Sequence, residues 1–288
     1  MQSGPEPGER ARSSISAGVR SLRIDGSLAR RHRARLIGDG ADIVIFSHGL
    51  GTDQSIWAQL LDLLPGGHSA LLFDLPGAGP LLPESFDPDD YRSLASFADD
   101  LLDLLDEIGV TRCRYVGHSV SGMIGALAAI EEPQRFEQLL LLNASPRYLN
   151  APGYIGGFDQ TDLEGLFDAM TSNYQAWVAG FAQMVVAADL PGAVADFSRG
   201  LLAMRPDFTV RIARMIFESD VRHLLRELDV PTVLIHSRVD VAVPAAVAEY
   251  LRDHIANAAL SWIETSGHLP HLTAPVEVAR ILGAHLGR

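Results

Sequence analysis

The feature that most constrains the fold is an alternation of short apolar runs with longer amphipathic segments. The amphipathic segments have helical periodicity, as in 93–108, and similar segments follow Ser119 and span 244–254 and 275–286. Strands that are joined through helices run parallel, so the pattern predicts a mostly parallel central sheet with helices on both faces. The strand-like runs are 43–47, 70–74, 114–117, 139–143, 232–236 and 260–264.

One region departs from this alternation. Residues 147–216 have helical periodicity and no convincing strand, and breakers at 152–153, Asn173, 191–192 and Pro206 divide them into about four helices. An all-helical insert between two parallel strands predicts a lid over the C-terminal edge of the sheet, where such sheets bind ligands. The predicted organisation is a disordered tail at 1–21, a core at 22–146 and 217–288, and a helical lid at 147–216.

Charge and composition exclude several classes of function. The 288 residues include 36 acidic and 23 basic side chains, a net charge of -13, so we expect no nucleic-acid partner and no binding to anionic membranes. The chain contains no lysine, which excludes Schiff-base chemistry and the phosphate-binding lysines of P-loop and kinase sites. The single cysteine, the lack of a secretory leader and the lack of a long apolar run predict a cytoplasmic protein.

Three arginines near the start of the core alternate with less polar residues. Arg31, Arg33 and Arg35 have the period of two that is typical of a half-exposed strand. A nucleic-acid patch is the other interpretation of these arginines, and the acidic balance of the chain disfavours it. We therefore expect a strand here.

The sequence Tyr-Val-Gly-His-Ser-Val-Ser-Gly at 115–122 carries the central chemical prediction. A strand runs directly into Ser119, and a helix rich in small residues follows at once, which is the arrangement of a nucleophilic serine on a strained turn. The turn requires small residues two positions before and after the nucleophile, and Gly117 and Ser121 satisfy this. An inert serine helix cap is the alternative.

A serine hydroxyl needs a base, and the base needs an acid that orients it. In this architecture the chain order is serine, acid, histidine. Asp240 follows the strand at 232–236, whereas the end of the preceding strand offers Asn143 but no carboxylate. His268 follows the last strand, so the predicted catalytic residues are Ser119, Asp240 and His268.

Backbone amides are expected to stabilise the oxyanion in such a site. One donor should be the amide of Val120, directly after the nucleophile. The second should come from the loop after an early strand, and the Ser-His-Gly-Leu-Gly-Thr stretch at 47–52 assigns it to Leu50. His271, three residues after His268, could indicate a metal pair, but no third ligand has matching spacing, so we expect neither a metal nor a cofactor.

At these motifs the chain resembles the α/β-hydrolase superfamily, and within it the group that contains the bacterial stress-signalling hydrolase RsbQ and the plant strigolactone and karrikin receptors. The motifs that carry the resemblance cover nearly everything from about His32 to the C-terminus. They are SHGLGTDQSIW (47–57), VGHSVSGMIG (116–125), ASPRYLN (144–150), GGFDQ (156–160), NYQAW (173–177) and GHLPHLTAP (267–275).

The resemblance implies an α/β-hydrolase fold whose four lid helices form a V over a mainly apolar pocket. It supports the triad and places Tyr148, Trp177, Phe181 and Phe217 at pocket positions. The chain departs from the group at Leu50, where the group usually has phenylalanine, and in the loop 73–77, where the group tends to lack the proline.

Two functions follow as hypotheses. The first is a serine hydrolase that cleaves a small, largely apolar carboxylic ester or lactone, including butenolide-type lactones, through an acyl-enzyme. The second is a ligand-sensing signalling protein of the RsbQ type, whose pocket binds or slowly hydrolyses a small molecule and whose lid engages a partner protein. Hydrolysis of a carbon–carbon bond on the same fold is a third alternative, whereas dehalogenase and epoxide hydrolase chemistry would need a carboxylate where Ser119 stands.

Overall fold

The computed structural model describes residues 22–79 and 86–287. The predicted disordered tail at 1–21 lies outside these residues. Among the helices of the described ranges, none is both long and apolar enough to cross a bilayer.

A seven-stranded sheet forms the centre of the molecule, in the order β1-β3-β2-β4-β5-β6-β7. Strand β1 pairs antiparallel with β3, and every other pairing is parallel. The mostly parallel sheet predicted from the sequence is therefore confirmed, and the strand that ends at the proposed nucleophile lies in the middle. The strands are β1 (Arg35–Ile37), β2 (Asp42–Ser47), β3 (His68–Leu72), β4 (Cys113–His118), β5 (Phe136–Leu142), β6 (Thr232–Val239) and β7 (Ala258–Ser266).

Alternate residues of the strands supply two cores, one on each face of the sheet. In β5, Leu139 and Leu141 face one core, whereas Leu140 and Leu142 face the other. Helices α3, α4 and α9 cover the first face, and α2 and α11 cover the second. The helices outside the lid are α1 (Ser27–Arg31), α2 (Ala58–Leu61), α3 (Leu94–Ile108), α4 (Val120–Glu131), α9 (Ala245–His254), α10 (Pro270–Thr273) and α11 (Pro275–Leu286).

The strand expected from the alternating arginines is shorter than predicted. Arg31 ends helix α1, and Arg33 has a positive φ of 50°, so the strand begins only at Arg35. The start of α1 is fixed by Glu107 of α3, which accepts hydrogen bonds from the amides of Leu28 and Ala29. Because this cap comes from a distant helix, the local alternation of side chains does not determine the structure here.

Four helices between β5 and β6 form the lid. Asp159 begins the first with a reciprocal capping box, Asn173 caps the second, and prolines open the third and fourth. The breakers at Asn173, 191–192 and Pro206 therefore lie at helix ends, whereas the breaker at 152–153 lies in the loop before the first lid helix. The lid helices are α5 (Gln160–Ser172), α6 (Tyr174–Val186), α7 (Pro191–Ala203) and α8 (Pro206–Glu218).

Candidate active site

Ser119 lies on a sharp turn between β4 and α4, at the C-terminal edge of the sheet. Its φ of 57° and ψ of -125° are unusual for a residue with a side chain and store about 1–3 kcal/mol of strain. Gly117 makes the turn sterically feasible, because a Cβ there would lie 2.6 Å from the Tyr115 ring and 2.7 Å from the Ser121 carbonyl oxygen. The turn lifts the Ser119 hydroxyl into the space above the sheet.

The loops after β6 and β7 bring Asp240 and His268 to this serine. His268 Nε2 lies 2.8 Å from Ser119 Oγ, and His268 Nδ1 lies 2.7 Å from Asp240 Oδ2. All three residues are buried, with 7%, 7% and 8% exposure for Ser119, Asp240 and His268. The arrangement can move a proton from the hydroxyl to the imidazole while the carboxylate holds the Nδ1–H tautomer.

Asn143 also belongs to this site. From the sequence it was noted only because no carboxylate stands at the end of its strand. Its Nδ2 donates to Asp240 Oδ2 at 2.7 Å, and the Ala242 amide donates to Asp240 Oδ1 at 2.8 Å. Asn143 has a φ of 46°, a left-handed conformation that asparagine adopts more readily than most residues. Asn143 follows β5 directly, and its position at the end of that strand is the sequence signal that could have placed it in the site.

The loop after β2 lies against Ser119. A Cβ at Gly49 would lie 3.1 Å from Ser119 Cβ and 2.7 Å from His118 Nδ1, so only glycine fits. The Ser121 hydroxyl donates to the His48 carbonyl at 2.5 Å and holds the loop in place. Within the described ranges, the amides of Leu50 and Val120 donate to no protein acceptor, which leaves both free for a bound oxyanion.

A narrow cavity opens above the serine, and its wall includes Tyr148, Phe181 and Phe217 together with Ser119 and His268. The Tyr148 hydroxyl lies 3.4 Å from Ser119 Oγ, and its ring packs edge-on against Phe217. Trp177 does not line this cavity. It stacks behind Phe181, with ring centroids 4.8 Å apart, and fixes the position of that ring.

Three further buried histidines lie near His268. The His118 Nε2 bonds to the His268 carbonyl, the His271 ring stacks on Trp57, and His236 lies on β6. Burial is the main cause that lowers their pKa from 6.5: well below it for His118, to about 4 for His236 and to about 3 for His271. Among the described residues, no three His, Cys, Asp or Glu side chains converge as metal ligands, His271 included.

We expect these buried histidines to make the fold sensitive to acid. The unfolded chain binds a proton at each histidine as the pH falls through about 6.5, whereas the folded chain does so only near pH 4 at His236 and pH 3 at His271. Their contribution is therefore complete above pH 6.5 and is lost as the pH falls. For each of these two histidines, the free energy of unfolding should fall by about 2 kcal/mol between pH 7.5 and pH 5. Urea titrations at the two pH values would measure this loss.

A His271→Phe variant isolates one of these groups. Neither ring nitrogen of His271 has a hydrogen-bond partner in the described part of the chain, so phenylalanine should keep the stack on Trp57 at little cost. The loss of stability from pH 7.5 to pH 5 should be about 2 kcal/mol smaller than in the wild type. Trp57→Phe changes the same stack without removing a titratable group and should keep the wild-type loss. An equal pH dependence in His271→Phe and the wild type would contradict the assignment.

Comparison with known proteins agrees with this fold. Residues 44–281 match the alpha/beta hydrolase family, and the chain belongs to that family. Strigolactone esterase RMS3 of Pisum sativum is 46% identical over 250 residues, which are 86% of this chain and 94% of the relative. Karrikin insensitive 2 receptor CA of Petunia hybrida is 43% identical, with 91% of this chain and 97% of the relative covered. The resemblance deduced from the motifs is thus confirmed.

Solved structures show the same architecture. A hydrolase from Oleispira antarctica superimposes with a TM-score of 0.87 at 28% identity, covering 91% of this chain and 97% of that one. The predicted α/β-hydrolase fold is therefore confirmed.

Proposed function

We propose that this protein is a serine hydrolase that cleaves a small, largely apolar carboxylic ester or lactone through an acyl-enzyme. The observation that carries the proposal is the continuous hydrogen-bonded line from Ser119 through His268 to Asp240, with Ser119 and His268 in the wall of a cavity. The Pisum sativum relative is named a strigolactone esterase, which supports ester hydrolysis and extends the proposed substrates to butenolide-type lactones.

The geometry supports a two-step mechanism. Ser119 Oγ attacks the carbonyl carbon while His268 Nε2 takes the hydroxyl proton, and Asp240 stabilises the imidazolium. The negative charge that develops on the carbonyl oxygen is stabilised by the amides of Leu50 and Val120. His268 then protonates the departing alcohol oxygen, and water activated by His268 releases the acid. Every step uses groups of this chain, so the mechanism needs no cofactor.

The aromatic wall of the cavity favours an apolar substrate. Phe181 and Phe217 offer ring surface, and the Tyr148 hydroxyl, 3.4 Å from Ser119 Oγ, is a polar group beside the reacting atoms. Burial raises the pKa of Tyr148 above its ordinary value, so the phenol stays neutral and can donate a hydrogen bond at pH 7. A substrate with one carbonyl group on an otherwise hydrocarbon frame suits such a site.

A fluorophosphonate probe tests the nucleophile without the natural substrate. Ser119 Oγ should attack phosphorus and displace fluoride, and the hydroxyl proton should pass to His268. Peptide mass spectrometry should then find the phosphonyl group on Ser119 alone. Ser145, another buried serine, donates to the Arg147 carbonyl and should stay unlabelled. Labelling at another residue, or no labelling of the folded protein, would overturn the proposal.

Ligand sensing is the second candidate function, and one contact between the lid and the core favours it. The His268 amide donates to the Val185 carbonyl at the end of α6 at 2.8 Å. A Cβ at Gly267 would lie 2.1 Å from the Val186 carbonyl oxygen, so the lid rests directly on the loop that carries His268. The Petunia hybrida relative is named a receptor. This name supports a protein whose lid binds a partner protein when the pocket is occupied.

The phosphonylated protein also separates the two functions. If the lid responds to an occupied serine, amide hydrogen exchange at the C-terminal end of α6 should rise relative to the free protein. Unchanged exchange there, together with rapid ester turnover, would favour hydrolysis alone.

A further inference from the structure

His118 lies directly before Ser119, and its side chain reaches the backbone of His268. The ring is 1% exposed, at the end of β4, and its Nε2 lies 2.8 Å from the His268 carbonyl oxygen. A carbonyl oxygen can only accept a hydrogen bond, so Nε2 carries the proton and donates it. One side chain therefore joins the turn that carries the proposed nucleophile to the loop that carries the proposed base.

The ring of His118 is neutral, with its single proton on Nε2. Burial is the main cause that holds its pKa well below 6.5, and the neighbouring His271 and His268 lower the pKa further. The Nδ1 atom of His118 has no hydrogen-bond partner in the described part of the chain. The hydrogen bond to the His268 carbonyl is thus the polar contact that this buried ring makes.

The His118 ring is also held on its other side. A Cβ at Gly49 would lie 2.7 Å from His118 Nδ1 and 3.2 Å from Cε1, so the loop after β2 packs directly against the ring. The ring of His271 meets it at 63°, with the two centroids 4.4 Å apart. The Ser119 amide donates to the Leu142 carbonyl at 2.8 Å, which holds this end of β4 to β5. Because the ring cannot shift without moving these neighbours, it is a rigid support for the atom that it contacts.

The backbone of His268 depends on this support. Gly267 before it has a φ of 101°, and helix α10 after it begins only at Pro270. The amides at the end of α10 donate to the carbonyls of Leu269 and Pro270 and not to that of His268. Among the described residues, His118 is therefore the one donor to the His268 carbonyl.

We infer that His118 is a positioning residue of the proposed hydrolase, whose Nε2–H group fixes the His268 backbone so that His268 Nε2 stays 2.8 Å from Ser119 Oγ. This inference rests on the proposed function. A reacting group that is displaced by about 1 Å can cost about 100-fold in rate. A hydrogen bond to the backbone of the base should therefore affect kcat, although His118 is absent from the wall of the cavity above Ser119.

Two amide substitutions test the Nε2–H group. A glutamine side chain places its nitrogen near the position of His118 Nε2, whereas an asparagine places it near Nδ1 and cannot reach the carbonyl. His118→Asn should lower kcat for p-nitrophenyl acetate by about 100-fold, and His118→Gln should keep kcat within about fivefold of wild type. KM should stay within about twofold in both, because neither changes the wall of the cavity. The rate constant for labelling of Ser119 by the fluorophosphonate probe should fall with kcat.

The same two substitutions at His236 are the matched control. His236 is 1% exposed on β6, and its Nε2 has no hydrogen-bond partner among the described residues. His236→Asn and His236→Gln should therefore have equal kcat values. Each variant is assayed well below its own midpoint of thermal unfolding. If His118→Asn does not fold, His118→Phe takes its place, since phenylalanine keeps a ring and lacks the N–H group.

The other outcomes are distinguishable. If Ser119→Ala is inactive but His118→Asn keeps wild-type kcat, the hydrogen bond does not position His268 and the inference is wrong. If His118→Asn and His118→Gln lose kcat equally, the shape of the ring matters rather than its N–H group, and the inference is again wrong. A loss that disappears after correction for the folded fraction would show a merely structural role. If hydrolysis survives the loss of Ser119, the proposed function itself fails.

Discussion

Replacing Ser119 with alanine is expected to lower kcat for p-nitrophenyl acetate by at least about 10⁵-fold. The change removes the attacking oxygen and leaves His268 and Asp240 in place, 2.7 Å apart. KM should change little, since a single hydroxyl contributes little to binding of an apolar ester. Steady-state kinetics with the wild type and the variant side by side measure both quantities.

Controls separate loss of chemistry from loss of fold. Alanine tolerates the positive φ of Ser119 no better than serine does, so thermal unfolding should occur near the wild-type temperature. Ser119→Gly should be equally inactive but more stable by about 1 kcal/mol, because glycine relieves the strained turn. Ser145→Ala removes a buried hydroxyl elsewhere and should keep wild-type turnover. Turnover above about 1% of wild type in Ser119→Ala would contradict the nucleophile assignment.

The parts of the fold that could be predicted are those in which local pattern and tertiary structure agree. The apolar runs of β2, β4, β5 and β6 are buried on both faces, as strands of a covered parallel sheet must be, so their hydrophobicity alone locates them. Lid helices α7 and α8 begin at prolines, and Asn173 lies between α5 and α6; these residues act through local backbone geometry. The strained turn at Ser119 could be located because such a turn needs small neighbours along the chain.

The features that sequence reasoning missed depend on contacts between distant segments. Helix α1 begins where Glu107 caps it, 79 residues away from Leu28. The Ser121 hydroxyl holds the His48 carbonyl 73 residues away, a role that a small residue at this position does not suggest. The cavity above Ser119 is lined by Leu50 of a core loop and by Ile216 of lid helix α8, and no pattern within either segment indicates that they share one wall.

The Asp240→Asn variant should lower kcat by about 10⁴-fold while the protein stays folded. In the wild type, Asp240 Oδ2 accepts from Asn143 Nδ2 and from His268 Nδ1, and Asp240 Oδ1 accepts from the Ala242 amide. Every group around the carboxylate is thus a donor. An asparagine has one accepting oxygen and one donating nitrogen, so it cannot satisfy all three.

The orientation of the amide in Asp240→Asn determines which ring nitrogen of His268 carries the proton. If its oxygen accepts from Ala242, its nitrogen faces His268 Nδ1, and the imidazole must carry its proton on Nε2 instead. His268 Nε2, 2.8 Å from Ser119 Oγ, then donates to the hydroxyl and cannot take its proton. The reverse orientation places two N–H groups against each other at Ala242. The first arrangement removes the general base and leaves Ser119 in position, whereas the second keeps the base but leaves the Ala242 amide without an acceptor.

Asp240→Asn should therefore separate reactivity from binding, a difference that a merely destabilised protein would not show. Asp240→Asn should react with the fluorophosphonate probe at Ser119 far more slowly than the wild type, yet bind a non-reactive ester analogue with similar affinity. Asp253→Asn makes the same chemical change at an exposed ion pair with Arg252 and should keep full turnover. Turnover within about tenfold of wild type in Asp240→Asn would show that Asp240 does not orient His268.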